Sequence, residues 1–148
     1  MIEVAFPSYQ FKIKEEGGKE IIFDAFRKQW VVLTPEEWVR QNFLQYLVQV
    51  KNYPSSLIAV EREIFIGDVK KRFDIVVYKA AKPCMIIECK EMKVPVNESV
   101  IKQVLNYNIA LQVKYLVVTN GSSTYASHLM AKEHKWLNEI PDFNTLEV

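Results

Sequence analysis

The sequence predicts an α/β (α+β) fold in which helices flank one mixed central sheet. Three observations predict it. A helix start at Thr34-Pro35 is followed by three β-like segments, a second helical segment begins near Asn97, and the apolar run Lys114–Thr119 is typical of a further strand. The predicted order of elements is therefore α-β-β-β-α-β, with an N-terminal β elaboration in front of it.

The N-terminal elaboration reaches to about Leu33. Its β-like pieces at Phe11–Lys14 and Glu20–Phe23 are separated by the turn signal Gly17-Gly18, and the apolar stretch Trp30–Leu33 follows them. This region is predicted to be a β extension of the core.

The first helix is predicted to run from Thr34 to about Lys51. Thr34 is suited to the N-cap, Pro35 to the first helical position, and Glu37 completes a capping box. Asn52-Tyr53-Pro54 ends the helix. Apolar residues at helical spacing predict its core face: Val39, Phe43, Tyr46, Leu47 and Val50.

Three β-like segments follow at Leu57–Phe65, Lys71–Lys79 and Cys84–Glu91. The short connection Ala80–Pro83 predicts an antiparallel hairpin between the last two. Alternation along the middle segment predicts Asp74, Val76 and Tyr78 on one face, and Phe73, Ile75 and Val77 on the other.

The rest of the chain is predicted to hold two helices around the strand Lys114–Thr119. The second helix runs from about Asn97 to Leu111 or Gln112, and a third runs from about Ser122 to Asn138. One domain is expected over residues 1–148, with an N-terminal β extension (1–33), a core (34–121) and a C-terminal helix and tail (122–148).

Composition and charge restrict the class of protein. The chain has 148 residues and a formal net charge of +1, so a nucleic-acid partner must be met by a local basic surface. No apolar run approaches the ~20 residues of a membrane-crossing helix, and Met1–Gln10 lacks a basic secretory n-region. Cys84 and Cys89 are expected to be free thiols, in keeping with a cytoplasmic location.

The informative charged residues are Asp74 and the tripeptide Glu88-Cys89-Lys90. Other acid-x-Lys tripeptides, among them Glu133-His134-Lys135, have the same spacing, but Glu88-Cys89-Lys90 closes the apolar run Met85-Ile86-Ile87. A hairpin centred near Ala81 predicts that Asp74 lies opposite Glu88, and a slip of one or two residues would still leave them adjacent. Two carboxylates and an ammonium group are therefore expected to converge.

Such a group can hold a hard divalent cation. Mg²⁺ takes oxygen ligands, usually one or two carboxylates plus waters and substrate phosphate. Asp74, Glu88 and the backbone carbonyl of Cys89 would supply them. A bound cation lowers the pKa of water, and Lys90 would orient that water and stabilise charge on a phosphodiester. The alternative is a solvated strand end at which Glu88 and Lys90 neutralise each other.

Asp74 and Glu88-Cys89-Lys90, on an α-β-β-β-α-β order, resemble the restriction-endonuclease-like PD-(D/E)XK nuclease superfamily. Three further segments resemble the N-terminal nuclease domain of type I restriction enzyme R subunits, in the small stand-alone variant: LTPEEWVRQ (Leu33–Gln41), KKRFDIVVY (Lys70–Tyr78) and Gln103-x-x-x-Tyr107. The resemblance covers roughly Leu33 to Gly121. It implies a restriction-endonuclease-like core and a metal-dependent nuclease.

The resemblance also implies roles for individual residues. Phe73 stands where the name of the motif has Pro, and the sequence has no Walker-type phosphate loop or helicase motif. The implied roles are metal binding and catalysis for Asp74, Glu88 and Lys90, approach to the metal for Glu37, and positioning of the site or contact with DNA for Gln103 and Tyr107.

The basic residues leave alternatives open. Arg40, one helical turn beyond Glu37, either pairs with it or meets phosphate. The run Lys70-Lys71-Arg72 is either a solvated charge run or, through Lys71 and Arg72, a phosphate contact beside the metal site. His128 and His134 are assigned no role.

We therefore expect a Mg²⁺- or Mn²⁺-dependent endonuclease domain of a restriction-modification system that hydrolyses DNA phosphodiester bonds. DNA is the expected partner, with other restriction-system subunits or a second copy of the chain as further candidates, and no membrane. Two alternatives stay open: a catalytically inactive nucleic-acid-binding or assembly module on the same fold, and a plain structural domain.

Overall fold

Two helices and nine strands make up the described part of the chain. The structure, a computed structural model, describes residues 1–66, 68–108, 112–131 and 133–148, with the backbone alone at 66, 69 and 106–108. The helices are α1 (Pro35–Gln49) and α2 (Glu98–Asn108). The strands are β1 (Ile13–Glu16), β2 (Lys19–Asp24), β3 (Gln29–Val32), β4 (Ile58–Ile66), β5 (Val69–Lys79), β6 (Lys82–Cys89), β7 (Tyr115–Thr119), β8 (Thr124–Leu129) and β9 (His134–Trp136).

The strands form two sheets. β1, β2 and β3 form an antiparallel sheet, and the other six strands follow the order β4-β5-β6-β7-β8-β9. β6 and β7 are parallel and are connected through α2, whereas the other neighbours in this sheet are antiparallel. The predicted mixed sheet and the α-β-β-β-α-β order are confirmed as α1-β4-β5-β6-α2-β7.

α1 begins as its sequence predicts. The Thr34 hydroxyl accepts a hydrogen bond from the Glu37 N–H at 3.0 Å, and Pro35 lies in the first turn, where its missing N–H costs nothing. The predicted apolar face is buried except at Val50, which is 45% exposed. Val50 lies outside the core because the chain leaves the helix at this residue.

Hydrophobic cores cover both faces of the six-stranded sheet. The core on the α1 side includes Ile75 and Val77 of β5, and the core on the α2 side includes Val76 of β5 and Ile86 of β6. Each fully buried side chain of this size contributes about 1.5–3 kcal/mol to folding. The helices supply the facing residues: Val39, Phe43, Leu44 and Leu47 from α1, and Ile101 and Leu105 from α2.

The alternation predicted for β5 is wrong at Phe73, which lies in the α2-side core with Val76 rather than in the α1-side core with Ile75. β4 is irregular across from this point. Glu61 has a positive φ of 54°, and the pair it would form with Asp74 is missing from the ladder, although the pairs on either side are present. This irregularity of β4 lies beside the point at which the alternation of β5 breaks.

The hairpin between β5 and β6 combines a two-residue turn with a bulge. Ala80-Ala81 has φ values of 53° and 62°, the left-handed conformation that such a turn requires. The register then shifts by one residue between Val77 and Tyr78. Beyond the bulge Ile75 pairs with Ile87, and the predicted antiparallel hairpin is confirmed.

The predicted third helix, Ser122–Asn138, is wrong. The chain there forms β8 and β9, an antiparallel hairpin that extends the sheet beyond β7. Pairing with β7 satisfies the backbone of a segment rich in helix-forming residues and buries Ala126 and Ser127. The C-terminal region, 122–148, therefore holds two strands and a tail with one 3₁₀ turn at Phe143–Thr145.

Two expectations about particular residues are confirmed. Cys84 and Cys89 are buried and free. Gly17-Gly18 forms the turn between β1 and β2, with φ values of 61° and 78° that glycine adopts without strain. In the described residues, no helix is long and apolar enough to cross a membrane.

Candidate active site

Asp74 of β5 and Glu88 of β6 occupy opposed positions on neighbouring strands. Their neighbours Ile75 and Ile87 are paired across the ladder, which puts the two acidic residues opposite one another, as the sequence predicts. The bulge makes this possible, since the register of the turn alone would put Asp74 across from Ile87. The Asp74 carboxylate also reaches the β6 backbone, where its Oδ2 accepts a hydrogen bond from the Cys89 N–H at 2.7 Å.

The Glu88 side chain is partly buried beside Asp74. Burial, hydrogen bonding with Asp74 and the negative charge of Asp74 together raise the pKa of Glu88 to about 8. The positive charges of Lys71 and Lys90 oppose this rise. At neutral pH the metal-free pair of carboxyl groups therefore holds a proton.

Two lysines flank Glu88. Lys90 is exposed, and its backbone N–H donates to the Thr119 carbonyl of β7 at 2.8 Å, which anchors the backbone and leaves the ammonium group at the surface. The Lys71 ammonium lies 5.1 Å from the centre of the Phe73 ring. Burial lowers the pKa of Lys71, the charge of Lys90 lowers it further, and Glu88 opposes the change.

Arg40 of α1 binds three acidic side chains, those of Glu37, Glu61 and Asp74. Its Nη2 donates to Asp74 Oδ1 at 2.9 Å and to Glu61 Oε1 at 2.7 Å, and its Nη1 donates to Glu37 Oε1 at 2.7 Å. The side chain is 7% exposed. Burial lowers the pKa of Arg40, but Glu37 and Asp74 outweigh burial and raise it above its usual value. Arg40 is therefore a permanent cation that fixes one oxygen of Asp74.

Glu37 lies behind Arg40. Its Oε1 accepts from Arg27 Nη2 at 2.7 Å as well as from Arg40, and its Oε2 accepts from Gln41 at 3.2 Å. Arg27 is in turn paired with Asp24 at the end of β2. Both oxygens of Glu37 thus have partners, and the N-terminal sheet is tied to the site through Arg27. Of the two alternatives for Arg40, pairing with Glu37 is observed.

The basic run Lys70-Lys71-Arg72 lies within β5, so it is part of a strand and not a loop. Lys70 and Arg72 pair with Glu63 of β4 at 2.8 and 3.0 Å, and Arg72 lies 3.8 Å from Glu61. The run is therefore partly neutralised by β4, and Lys71 is the member whose charge acts on Glu88.

Of the two residues predicted on α2, the structure describes the side chain of Gln103 alone. Gln103 is exposed and makes no side-chain hydrogen bond in the described structure. The side chain of Tyr107 lies outside the described residues, although its backbone belongs to α2. Their predicted roles stay predictions.

The residues present fit a hard divalent cation. Asp74 and Glu88 offer adjacent carboxyl groups, and each carboxylate oxygen that accepts one hydrogen bond keeps a second lone pair. Mg²⁺ is commonly held by one or two carboxylates, with waters and phosphate oxygens completing its shell. Within the described ranges, no group of three or more His, Cys, Asp or Glu side chains is arranged to hold a metal, so the other ligands would be water, phosphate and backbone oxygens.

Sequence reasoning missed three charged residues of this region. Glu61 and Arg27 bind the same network as Arg40 and Glu37, and Glu36 Oε1 lies 3.7 Å from Arg40 Nη2 with the side chain 47% exposed. Burial and, to a smaller extent, the negative charge of Asp74 raise the pKa of Glu36. The sequence feature that could have pointed to Glu36 is its position next to Glu37. No sequence feature points to Arg27 or Glu61, because the residues that they contact are distant in sequence.

The fold and the site together define an α/β domain with two opposed carboxyl groups on β5 and β6 and a lysine directly after β6. Residues 35–142 match the family model described as Type I restriction enzyme R protein N terminus (HSDR_N). The chain belongs to this family. A comparison with curated proteins gave no match, and a comparison with solved structures gave none either.

Proposed function

We propose that this domain hydrolyses DNA phosphodiester bonds with Mg²⁺ or Mn²⁺ as its cofactor, as part of a restriction-modification system. The observation that carries the proposal is the opposition of Asp74 and Glu88, with Lys90 directly after the second strand. Membership of the restriction enzyme R protein family supports it.

Three side chains divide the chemistry. Asp74 and Glu88 hold the cation, with the Cys89 carbonyl as a further oxygen ligand. When bound, the cation supplies a water of lowered pKa and offsets negative charge on the phosphate. Lys90 orients the attacking water and stabilises the charge that develops on the phosphodiester. Arg40 and the Cys89 N–H keep Asp74 in place.

Other residues are proposed to contact DNA or to support the residues that bind the metal. Lys71 and Arg72 on β5 contact phosphate, Lys71 being the one whose charge acts on Glu88. Gln103 and Tyr107 on α2 position the site or contact DNA. Glu37, the further candidate for the metal site, supports Asp74 through Arg40.

Nicking of supercoiled plasmid tests the proposal. The purified protein is expected to nick DNA with MgCl₂ or MnCl₂ and not with EDTA. Asp74→Ala and Lys90→Ala should each lower the rate by at least ~100-fold, since each removes a group that binds the cation or stabilises the transition state. Lys135→Ala is the matched control, because Lys135 is exposed on β9 in another acid-x-Lys tripeptide.

The outcomes separate the candidate functions. Cleavage that persists in both variants would place the activity elsewhere. Salt-sensitive DNA binding without metal-dependent cleavage would instead favour the inactive binding or assembly module.

A further inference from the structure

Glu61 has a strained backbone conformation inside β4. Its φ of 54° falls in the left-handed region, and it lies in the interior of β4 (Ile58–Ile66). The other described non-glycine residues with positive φ lie outside helices and strands. A residue with a β-carbon is disfavoured in this conformation. Such strain persists where surrounding contacts hold it, commonly at functional sites.

The side chain of Glu61 binds Arg40, the residue that also binds Asp74. Glu61 lies at the level of Asp74, between the ladder pairs Val60–Ile75 and Arg62–Phe73. Its Oε1 accepts from Arg40 Nη2 at 2.7 Å, and the same nitrogen donates to Asp74 Oδ1 at 2.9 Å. The strained position thus coincides with a point where β4 is connected to Asp74 through a shared cation, Arg40.

We propose that Glu61 is a positioning residue for Asp74. Its carboxylate holds the Arg40 guanidinium, and Arg40 with the Cys89 N–H holds the two oxygens of Asp74 in one orientation. Any effect on cleavage rests on the function proposed above, but the effect on the Asp74 carboxylate does not.

Arg40 has another partner within reach, which is why Glu61 is needed. Nη1 is held by Glu37, whereas Nη2 lies 3.7 Å from Glu36. Without Glu61 the Nη2 group turns toward Glu36, and Asp74 keeps only its bond to the Cys89 N–H. Asp74 then changes orientation, because one bond does not hold both of its oxygens, and its bond to the Cys89 N–H is made for a smaller part of the time.

Hydrogen exchange of the metal-free protein tests this placement without DNA or metal. The Cys89 amide reports the Asp74 bond, and the Ile87 amide on the same strand serves as an internal reference. Glu61→Gln and Glu61→Gly should each speed exchange at Cys89 by about tenfold relative to Ile87. Glu63→Gln is the matched control, because Glu63 lies two residues further along β4, is exposed and should leave Cys89 unchanged. Cys89 exchange at the wild-type rate in both Glu61 variants would overturn the proposal.

Thermal unfolding distinguishes positioning from a structural role. Glycine adopts the left-handed conformation without the β-carbon penalty, so Glu61→Gly should melt at or above the wild-type temperature while Cys89 exchange is still faster. If Glu61→Gly melts at a lower temperature and amide exchange is faster at both Cys89 and Ile87, Glu61 has only a structural role in β4.

Cleavage adds a separate readout. With saturating Mn²⁺, both Glu61 variants should lower kcat for plasmid nicking by about tenfold or more and leave the KM for DNA unchanged. Wild-type kcat in both variants would contradict the proposal. If the wild type itself does not cut DNA, the proposed function fails, and the exchange rates still decide the role of Glu61.

Discussion

The metal-free protein should lose stability as the pH rises, and Glu88→Gln should remove that loss. The ordinary pKa of the Glu88 carboxyl is 4.5, and burial beside Asp74 raises it to about 8 in the folded protein. Between these two values the folded protein holds a proton that the unfolded chain has released. The free energy of unfolding therefore falls as pH rises, and the fall ends above the folded pKa.

The size of the effect follows from the linkage between protonation and folding. One pKa unit corresponds to about 1.4 kcal/mol, so the wild type should lose up to about 1.4 kcal/mol of stability per pH unit between pH 5 and 8. From pH 6 to pH 8 the loss is roughly 2–3 kcal/mol, a large part of the 5–15 kcal/mol typical of a domain. Glutamine has no proton to release, and the corresponding slope of the variant should be flat.

Urea unfolding at pH 6, 7 and 8 in EDTA measures the effect as a difference between wild type and Glu88→Gln. Other groups that titrate in this range contribute to both proteins and cancel in the difference. Glu133→Gln is the matched control, since Glu133 is exposed in the tripeptide beside β9 and should keep the wild-type slope. Equal slopes in wild type and Glu88→Gln would refute the reasoning, as would flattening in Glu133→Gln.

Two further substitutions test the surroundings of the site. Arg40→Met should lower the free energy of unfolding by about 3–5 kcal/mol at pH 7, because it leaves Asp74 without its buried counter-charge and leaves Glu37 with Arg27 alone; a loss below about 1 kcal/mol in urea unfolding would contradict this. Ala81→Gly should raise stability by roughly 1 kcal/mol, a melting-temperature increase of a few degrees, because Ala81 has a φ of 62° in the hairpin turn. A lower melting temperature would show that the turn is not strained.

The opposition of Asp74 and Glu88 could be predicted, although the turn differs from the one expected. A hairpin centred at Ala81 places Asp74 opposite Glu88, which is the arrangement observed. The turn itself is centred between Ala80 and Ala81, and the bulge beyond it supplies the missing residue. Local signals likewise sufficed for α1, because the Thr34 cap depends on residues adjacent in sequence.

The network around Arg40 could not be predicted, because it depends on contacts across the fold. Arg40 is 34 residues from Asp74 and 21 from Glu61 in the sequence. The sequence around Glu61 is typical of an ordinary strand, and nothing in it indicates the left-handed conformation of this residue. The helix predicted over residues 122–138 is wrong for a related reason. The composition of this segment favours a helix, but the segment pairs with the edge of β7 and forms strands instead.

The claim that Asp74 and Glu88 hold one divalent cation is tested most directly by calorimetric titration with Mn²⁺ at pH 7, in two buffers of different ionisation enthalpy. The difference between buffers counts the protons released on binding. Wild type should bind Mn²⁺ with release of about one proton, the one held by the carboxyl pair, whereas Glu88→Gln should bind weakly with none. Absence of binding to the wild type, or equal binding and proton release in Glu88→Gln, would contradict the claim.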